Sequence, residues 1–126
     1  MKYLMFVVHD PAANPHEPAG PTLEEWEAEM SGRGVASPAG DRLRPPEDAT
    51  TVRIRDGELL VSDGPYLEAK EWVAGFDILD CRDLDEAIEV AAKHPMARRG
   101  TLELRPFWTL YDESGRLIDD ADEDDG

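Results

Sequence analysis

An unbroken apolar run near the start of the chain constrains the fold more than any other segment. Residues 3–8 read YLMFVV, and the run ends at His9, Asp10 and Pro11. A short continuous apolar run that is bounded by turn formers is typical of a strand buried on both faces. We therefore predict a central first strand against which the other elements pack.

The next ordered segment has the pattern of a short amphipathic helix. Thr22 and Glu25 form a capping-box pattern at its start, which satisfies free backbone N–H groups. Leu23, Trp26 and Met30 then recur at spacings of three and four residues and predict one buried stripe. Glycines at positions 32 and 34 end the helix.

The second half of the chain alternates between strand and helix patterns. Residues 50–55 and 58–62 predict a hairpin around the Asp56-Gly57 turn, with Val52 and Ile54 on a half-buried face. Residues 72–81 and 101–108 predict two more strands. Between them lies a second helix with Asp83 as its N-cap, Glu86 three positions later and Pro95 as its stop. Its predicted apolar face is Leu84, Ala87, Ile88 and Ala91.

This order predicts an α+β fold of the ferredoxin-like βαββαβ type with an extra hairpin. The helices cover one face of a largely antiparallel sheet, so the other face stays bare. Pairing of two copies covers that face most simply, and we expect a homodimer.

The formal charge of −16 over 126 residues narrows the classes of partner. Residues 111–126 hold eight acids and one base, which predicts a flexible acidic tail after a domain formed by residues 1–110. A lure for a basic protein partner is the alternative role of this tail. The remaining chain is also net negative and has no basic cluster, which argues against nucleic-acid binding.

Other features narrow the location and the cofactor chemistry. No run approaches the ~20 apolar residues of a membrane span, and residues 1–8 are too short for a signal peptide, so we expect a soluble cytoplasmic protein with no membrane partner. The single cysteine, Cys81, excludes an intrachain disulfide and reads as a small core residue. Three scattered histidines predict no metal site, and the lack of a phosphate loop predicts no cofactor.

Several ordered motifs in residues 43–107 match a known pattern. They are Asp56-Gly57, Val61-Ser62-Asp63-Gly64-Pro65-Tyr66, Glu68-Ala69-Lys70-Glu71, Gly75-Phe76, Leu84-Asp85-Glu86-Ala87-Ile88 and Glu103-Leu104-Arg105-Pro106. Together they resemble the YCII-related proteins of the DGPF type, which occur in bacteria. Tyr66 departs from the commoner Phe, and Leu67 and Ala69 stand where Ala and Thr are usual.

The resemblance implies a ferredoxin-like fold that pairs into a dimeric α/β barrel, with a cavity between sheet and helices. Muconolactone isomerases and small monooxygenases share that architecture, so the fold does not decide the chemistry. Some relatives are encoded beside, or fused to, extracytoplasmic-function sigma factors. The wider group is thought to use a His and an Asp in its pocket.

The Asp63-Gly64-Pro65 segment is the first candidate site. Gly64 lets the backbone bend and Pro65 fixes the next φ, so that Asp63 could be held as an acid or base beside a ligand. The structural alternative is a turn in which the Asp63 side chain binds its own backbone.

His9 and Asp10 follow the first strand and are the other catalytic candidates. Histidine titrates near neutrality, and Asp10 falls at the acidic position that the resemblance implies. Neighbouring residues of a strand point to opposite faces, so both can face one cavity only if the chain turns at Pro11.

The candidate ligand-binding residues are more scattered. Tyr66 and Lys70 lie in the motif loop, with Lys70 as an anchor for an anionic group. Arg105 shares a strand face with Glu103, so a cross-strand ion pair or a dimer contact is the alternative to substrate binding. His94 reads either as a ligand contact or as a cation that complements the C-terminal end of the second helix.

Two functions stay open at this point. One is a cofactor-independent acid–base enzyme for a small, aromatic or lactone-like molecule, with Asp63 as the acid or base. The other is a non-catalytic regulatory module that contacts a protein of a sigma-factor system.

Overall fold

The computed structural model describes residues 1–36, 40–65, 71–108 and 114–116. The strands are β1 (Lys2–His9), β2 (Asp41–Arg42), β3 (Thr50–Arg55), β4 (Glu58–Asp63), β5 (Trp72–Asp80) and β6 (Thr101–Pro106). The helices are α1 (Leu23–Gly32), α2 (Leu84–Ala92) and the short α3 (Met96–Arg99).

Four of the strands form one antiparallel sheet in the order β2-β5-β1-β6. The predicted central position of β1 is confirmed, because it pairs with β5 on one side and with β6 on the other. The α+β architecture with antiparallel strands is compatible with the ferredoxin-like fold. The extra hairpin also forms, but β3 and β4 make a separate two-stranded sheet.

The hairpin turns where the sequence predicts. Asp56 has φ 52° and Gly57 has φ 77°, the left-handed conformations that a tight two-residue turn requires. The prediction that Val52 and Ile54 are half-buried is wrong, since their exposed fractions are 62% and 65%. The hairpin stands away from the core, so no other described element covers this face.

The core lies between the sheet and the two longer helices. Tyr3, Met5 and Leu79 supply the buried sheet face, and Trp26 of α1 packs over them. The Trp26 Nε1–H donates to the Val90 carbonyl at 2.9 Å, which ties α1 to α2 inside the core. The buried indole N–H of Trp26 therefore has a hydrogen-bond partner.

Helix α1 begins with the predicted capping box. The Thr22 hydroxyl accepts from the Glu25 N–H at 3.1 Å, and the Glu25 carboxylate accepts from the Thr22 N–H at 2.9 Å. Trp26 and Met30 are buried as predicted, whereas Leu23 is 48% exposed at the mouth of a cleft.

Helix α2 begins at the predicted N-cap but buries a different face. Asp83 accepts from the Glu86 N–H, while the Glu86 carboxylate bonds the Arg82 N–H instead of closing a capping box. The predicted face is wrong for Leu84 and Ile88, which are exposed. The buried residues of α2 are Glu86, Ala87, Val90 and Ala91.

Arg33 explains how an acid fits on the buried face of α2. Its guanidinium contacts Glu86 at 3.3 Å and Glu89 at 3.0 Å, and it links the end of α1 to α2. A buried carboxylate is tolerated only when it is paired in this way.

The remaining predictions concern the ends of the chain and Cys81. Cys81 is buried just after β5, as the sequence predicts for a small core residue. Apart from positions 114–116, the predicted tail of residues 111–126 lies outside the described residues. None of the helices in the described part of the chain has the length and apolarity that a membrane crossing needs.

Candidate functional site

A cleft of about 410 Å³ opens on the helix-bearing side of the sheet, and we call it the helix-side cleft. It lies between β5, the start of α1 and the turn that joins α2 to α3. The residues that matter for its chemistry are Glu27, Gly40, Asp77, His94 and, as an apolar wall, Leu23 and Met96. Its volume is in the range of pockets that hold small molecules.

Asp77 is the titratable centre of this cleft. It points to the helix side of β5 because it pairs with the buried Met5 of β1. Burial and, to a smaller extent, the negative charge of Glu27 raise the pKa of Asp77 to about 6. No described residue donates a hydrogen bond to its carboxylate. A half-buried carboxyl that titrates near neutrality is suited to give or take a proton.

His94 lies at the inner end of the same cleft with only 3% of its surface exposed. Its Nδ1 accepts from the Met96 N–H at 3.0 Å, so the neutral ring carries its proton on Nε2. The ring also packs edge-on against Trp26, with centroids 4.7 Å apart. These contacts fix the ring's orientation.

The protonation state of His94 follows from its burial, which lowers its pKa to about 4. The sequence-based explanation of His94 as a helix-end cation is therefore wrong at neutral pH. Among the described residues, nothing accepts a hydrogen bond from Nε2. The neutral Nε2–H is thus the group that His94 has available for a ligand.

Because Gly40 has no side chain, the Asp77 carboxylate has space beside it. A Cβ at this position would lie 2.6 Å from the Phe76 carbonyl oxygen and would collide with the Asp77 carboxylate. No real side chain fits at such distances, so the backbone before β2 approaches β5 only because position 40 has no side chain.

We expect Gly40→Ala to lower the free energy of unfolding by about 1–3 kcal/mol, because the added methyl must push β2 away from β5. Gly32→Ala is the matched control: Gly32 ends α1 with nothing within 4 Å of an added Cβ, and its change should stay below about 1 kcal/mol. Urea unfolding of the two variants beside the parent protein measures the difference. Equal stabilities of the two variants would contradict the close approach at Gly40.

A second cleft of about 370 Å³ lies beside the motif loop. Pro65, Glu71 and Trp72 line it together with the Pro-rich turn before β3. Trp72 also stacks on His9, with ring centroids 4.9 Å apart. Pro65 and Trp72 therefore line the same cleft, and His9 contacts the Trp72 ring.

The Asp63-Gly64 segment forms a turn with a clear structural role. Gly64 has φ 92°, its N–H donates to the Ala49 carbonyl at 2.7 Å, and its carbonyl accepts from the Thr51 hydroxyl at 2.7 Å. Asp63 ends β4, is exposed, and does not line either cleft. Its assignment as an acid or base stays a prediction.

His9 and Asp10 have different partners, because the chain turns directly after β1. His9 is exposed at the end of the strand, on Trp72. The Asp10 carboxylate accepts from the Ala12 N–H at 2.9 Å and from the Thr101 hydroxyl at 3.4 Å. Asp10 therefore stabilises the turn, and neither residue lines the helix-side cleft.

The other predicted binding residues do not converge on one site. Arg105 is exposed and contacts Glu103 at 3.8 Å, an ion pair within β6 and not the predicted cross-strand pair. Tyr66 and Lys70 lie outside the described residues. Of the predicted site residues that the structure describes, His94 alone lines the helix-side cleft.

Sequence reasoning missed Asp77 and Glu27. The available signal is a single acid inside an otherwise apolar strand, FDIL, at a position whose neighbours on the same face are buried. The described residues contain no cluster of three or more His, Cys, Asp or Glu side chains that could bind a metal ion.

Comparison with known proteins identifies the family of the chain. A sequence model of the YCII-related domain matches residues 1–110, which include every strand and helix described above. An uncharacterized protein of Rhizobium meliloti (strain 1021) is 43% identical over 72 residues. The aligned region covers 56% of this chain and 57% of that protein, so the chain spans little more than half the length of this relative.

Proposed function

The chain belongs to the YCII-related family, as its ordered motifs predict, and we propose that it binds a small molecule and performs acid–base chemistry in the helix-side cleft. The observation that carries this proposal is the pairing of two groups in one cleft. Asp77 has its pKa raised to about 6, and the buried His94 has its pKa lowered to about 4. Environments that push two titratable groups in opposite directions are typical of acid–base sites.

The two groups have different roles. Asp77 exchanges a proton with the ligand, because both of its protonation states are populated near pH 6. His94 stays neutral, so its Nε2–H donates a hydrogen bond to a ligand oxygen and stabilises negative charge that develops there. The bond from the Met96 N–H to Nδ1 holds this tautomer throughout.

A carbon-detected NMR titration of the side-chain carboxyls tests the proposal. We expect Asp77 to titrate near pH 6, about two units above an ordinary aspartate, and small-molecule fragments to shift the signals around Asp77 and His94. Asp77→Asn and His94→Asn should each weaken fragment binding by about tenfold or more, since each removes one hydrogen-bonding partner. His94→Asn keeps an acceptor for the Met96 N–H.

Asp63→Asn is the matched control in the same experiment. It removes an exposed carboxylate that lies outside the cleft, so fragment binding should stay at the parental level. An Asp77 titration at the pH of ordinary aspartates would rule out the proposed acid–base role. A loss of binding in Asp63→Asn, with none in Asp77→Asn, would move the site to the motif loop.

We also propose that two copies of the chain form a dimer. The face of the sheet opposite the helices has no cover from the described elements and is half-buried and apolar; we call it the open sheet face, formed by Leu4, Phe6, Val8, Phe76 and Ile78. The hairpin adds a second surface, the hairpin face, formed by Val52, Ile54, Leu59 and Val61, which are 59–65% exposed.

The areas favour a second copy as the occupant. Four aliphatic side chains exposed to this extent offer roughly 300 Å², a contiguous patch of the size that marks an interaction site. A stable dimer needs about 800 Å² on each copy. The hairpin face is therefore too small alone, and the open sheet face on the same chain supplies the remaining apolar area.

A further inference from the structure

We infer that the hairpin of each copy lies on the open sheet face of its partner, so that the two copies exchange their hairpins, an inference that rests on the proposed dimer. A dimer of this chain can bring its apolar surfaces together in three ways: hairpin on hairpin, sheet on sheet, or hairpin on sheet. The sizes, construction and positions of the two surfaces select the third arrangement.

The hairpin does not cover the sheet of its own chain. Val52, Ile54, Leu59 and Val61 are 59–65% exposed, and β3 and β4 form a sheet of their own. The hairpin is inserted in the chain between β2 and β5, which are neighbours at one edge of the four-stranded sheet. It is therefore an arm attached at the sheet edge, and its aliphatic face is accessible to another molecule.

A sheet-on-sheet dimer leaves this arm without cover. A two-stranded hairpin is marginally stable at best in water, and it gains stability when its apolar face packs on another element. Packing of the two open sheet faces against each other would leave both hairpin faces in water. This arrangement covers only one of the two apolar surfaces of each chain.

A hairpin-on-hairpin dimer is too small. Each copy would bury the roughly 300 Å² of its four aliphatic side chains, well short of the about 800 Å² per copy that a stable dimer needs. Both open sheet faces would also stay uncovered. Only the exchange of hairpins covers the two hairpin faces and the two open sheet faces together.

The two surfaces have the same construction, so one can pack along the other. Each contains two cross-strand pairs of an antiparallel ladder, with the paired side chains on one face. The pairs are Val52–Val61 and Ile54–Leu59 in the hairpin, and Leu4–Ile78 and Phe6–Phe76 in the sheet. Successive pairs on one face are about 7 Å apart in both ladders, which lets their side chains interdigitate as in a β-sandwich.

The arm is long enough for this contact, and the contact closes the dimer. Each hairpin strand has six residues and so spans about 20 Å, whereas Leu4 to Val8 of β1 spans about 13 Å. In a twofold dimer, a hairpin on the partner's sheet implies the same contact in the other direction. No apolar face then remains for a third copy.

The charge of the chain also favours contact through these surfaces. Each copy carries a formal charge of −16, so two copies repel each other. None of the residues that define the hairpin face and the open sheet face is charged. The two copies can therefore meet there without bringing acids into contact.

Cross-linking of mixed dimers tests the exchange. Ile54→Cys and Phe6→Cys are made as separate full-length variants, the first with a longer purification tag, and are co-expressed so that mixed dimers form. A short bismaleimide then joins thiols that lie close together in one dimer. We expect cross-linking between the two variants to exceed that within either variant alone by at least about fivefold, because a short linker joins only neighbouring thiols.

Controls separate this contact from chance encounters. Each variant must first scatter light as a dimer, and Leu59→Cys with Leu4→Cys is the second pair if Phe6→Cys does not fold. Cys81 is buried, so the parent protein should not cross-link. Ile88→Cys is the matched control, since Ile88 is 50% exposed but belongs to neither surface. Co-expressed with Phe6→Cys, it should cross-link no more than the parent.

The pattern of cross-links decides between the arrangements. If Ile54→Cys links to itself as readily as to Phe6→Cys, the hairpins face each other and the exchange is wrong. Self-linking of Phe6→Cys to the same extent would instead place sheet on sheet. A dimer in which neither pair links would also overturn the exchange. The proposed dimer fails on a different measurement, a parent protein that scatters as a single chain, so the two failures are distinguishable.

Discussion

Replacing Ile54 with Glu and Leu59 with Lys is expected to convert the protein from a dimer to a monomer. The two residues lie directly opposite each other in the hairpin, so the introduced charges pair across the strands and preserve the turn. The substitution removes two of the four large side chains of the hairpin face. Losing their burial costs about 2–3 kcal/mol, which weakens association by roughly 30- to 150-fold.

Light scattering over a range of concentrations measures this change directly. The parent protein should have twice the 14.0 kDa mass of the chain, and the double variant should approach the mass of one chain as it is diluted. The net charge is the same in both proteins, so long-range repulsion between copies does not differ.

Helix α2 provides a matched control. Leu84 and Ile88 are 51% and 50% exposed, one helical turn apart, and they belong to neither the open sheet face nor the hairpin face. Leu84→Glu with Ile88→Lys introduces the same two charges in a pattern that supports a helix. This variant should stay dimeric. A parent protein that scatters as a single chain, or a control that dissociates as readily as the hairpin variant, would rule out the hairpin face as the contact.

The hairpin face also includes the strand that leads into the Asp63-Gly64-Pro65 segment. Asp63 and Val61 are two positions apart in β4, so they share a face of the hairpin. A second copy on the hairpin face would come close to Asp63. The Asp63-Gly64-Pro65 segment would then act through assembly more than through the helix-side cleft.

Local patterns were sufficient to predict most of the fold. The central β1, the capping box of Thr22 and Glu25, and the Asp56-Gly57 turn each depend on a few neighbouring residues, and all three form as predicted. The buried face of α2 was only half predicted. The predicted face, which contains Leu84 and Ile88, and the observed face, which contains Val90, share the two alanines of α2. Contacts from α1 decide which of these faces is buried.

Those contacts are tertiary, and the sequence gives no direct sign of them. Arg33 reaches Glu86 from the end of α1, and Trp26 bonds the Val90 carbonyl. Together they turn α2 so that the alanines and Val90 face the sheet. Small side chains there let the helix approach closely, which leaves Leu84 and Ile88 outside.

The candidate site was harder to predict than the fold, for a related reason. Histidine is the usual acid or base near neutral pH, and an aspartate inside a strand has no such property by itself. Asp77 acquires it from burial between β5 and α1 and from the charge of Glu27, which is distant in sequence. His94 was named, but burial changes it from the expected cation into a neutral donor.

The second large effect is expected in acid, where His94 and Asp77 act on stability in opposite directions. The pKa of His94 is lowered from 6.5 to about 4, so between these values the unfolded chain binds more protons than the folded protein. Stability therefore falls as the pH falls from 6.5 to 4, by about 3 kcal/mol in total. The pKa of Asp77 is raised from 3.8 to about 6, so here the folded protein binds more protons and stability rises as the pH falls through 6. Solvent screening at this half-buried group reduces its share to about 2 kcal/mol.

Urea unfolding at pH 7.5, 6.5, 5.5 and 4 separates the two contributions. Because the two contributions oppose each other in the parent protein, each single variant should reveal the contribution of the other group. His94→Asn removes the titrating histidine. Between pH 6.5 and 4, its free energy of unfolding should therefore fall by about 3 kcal/mol less than that of the parent. Asp77→Asn removes the gain in stability that protonation of Asp77 gives the parent. This variant should therefore lose stability more steeply than the parent below pH 6. Only the slope against pH is diagnostic, since a cavity at position 94 lowers stability equally at every pH. Parallel curves for all three proteins would mean that neither group titrates abnormally, and the acid–base role of the helix-side cleft would then have no physical basis.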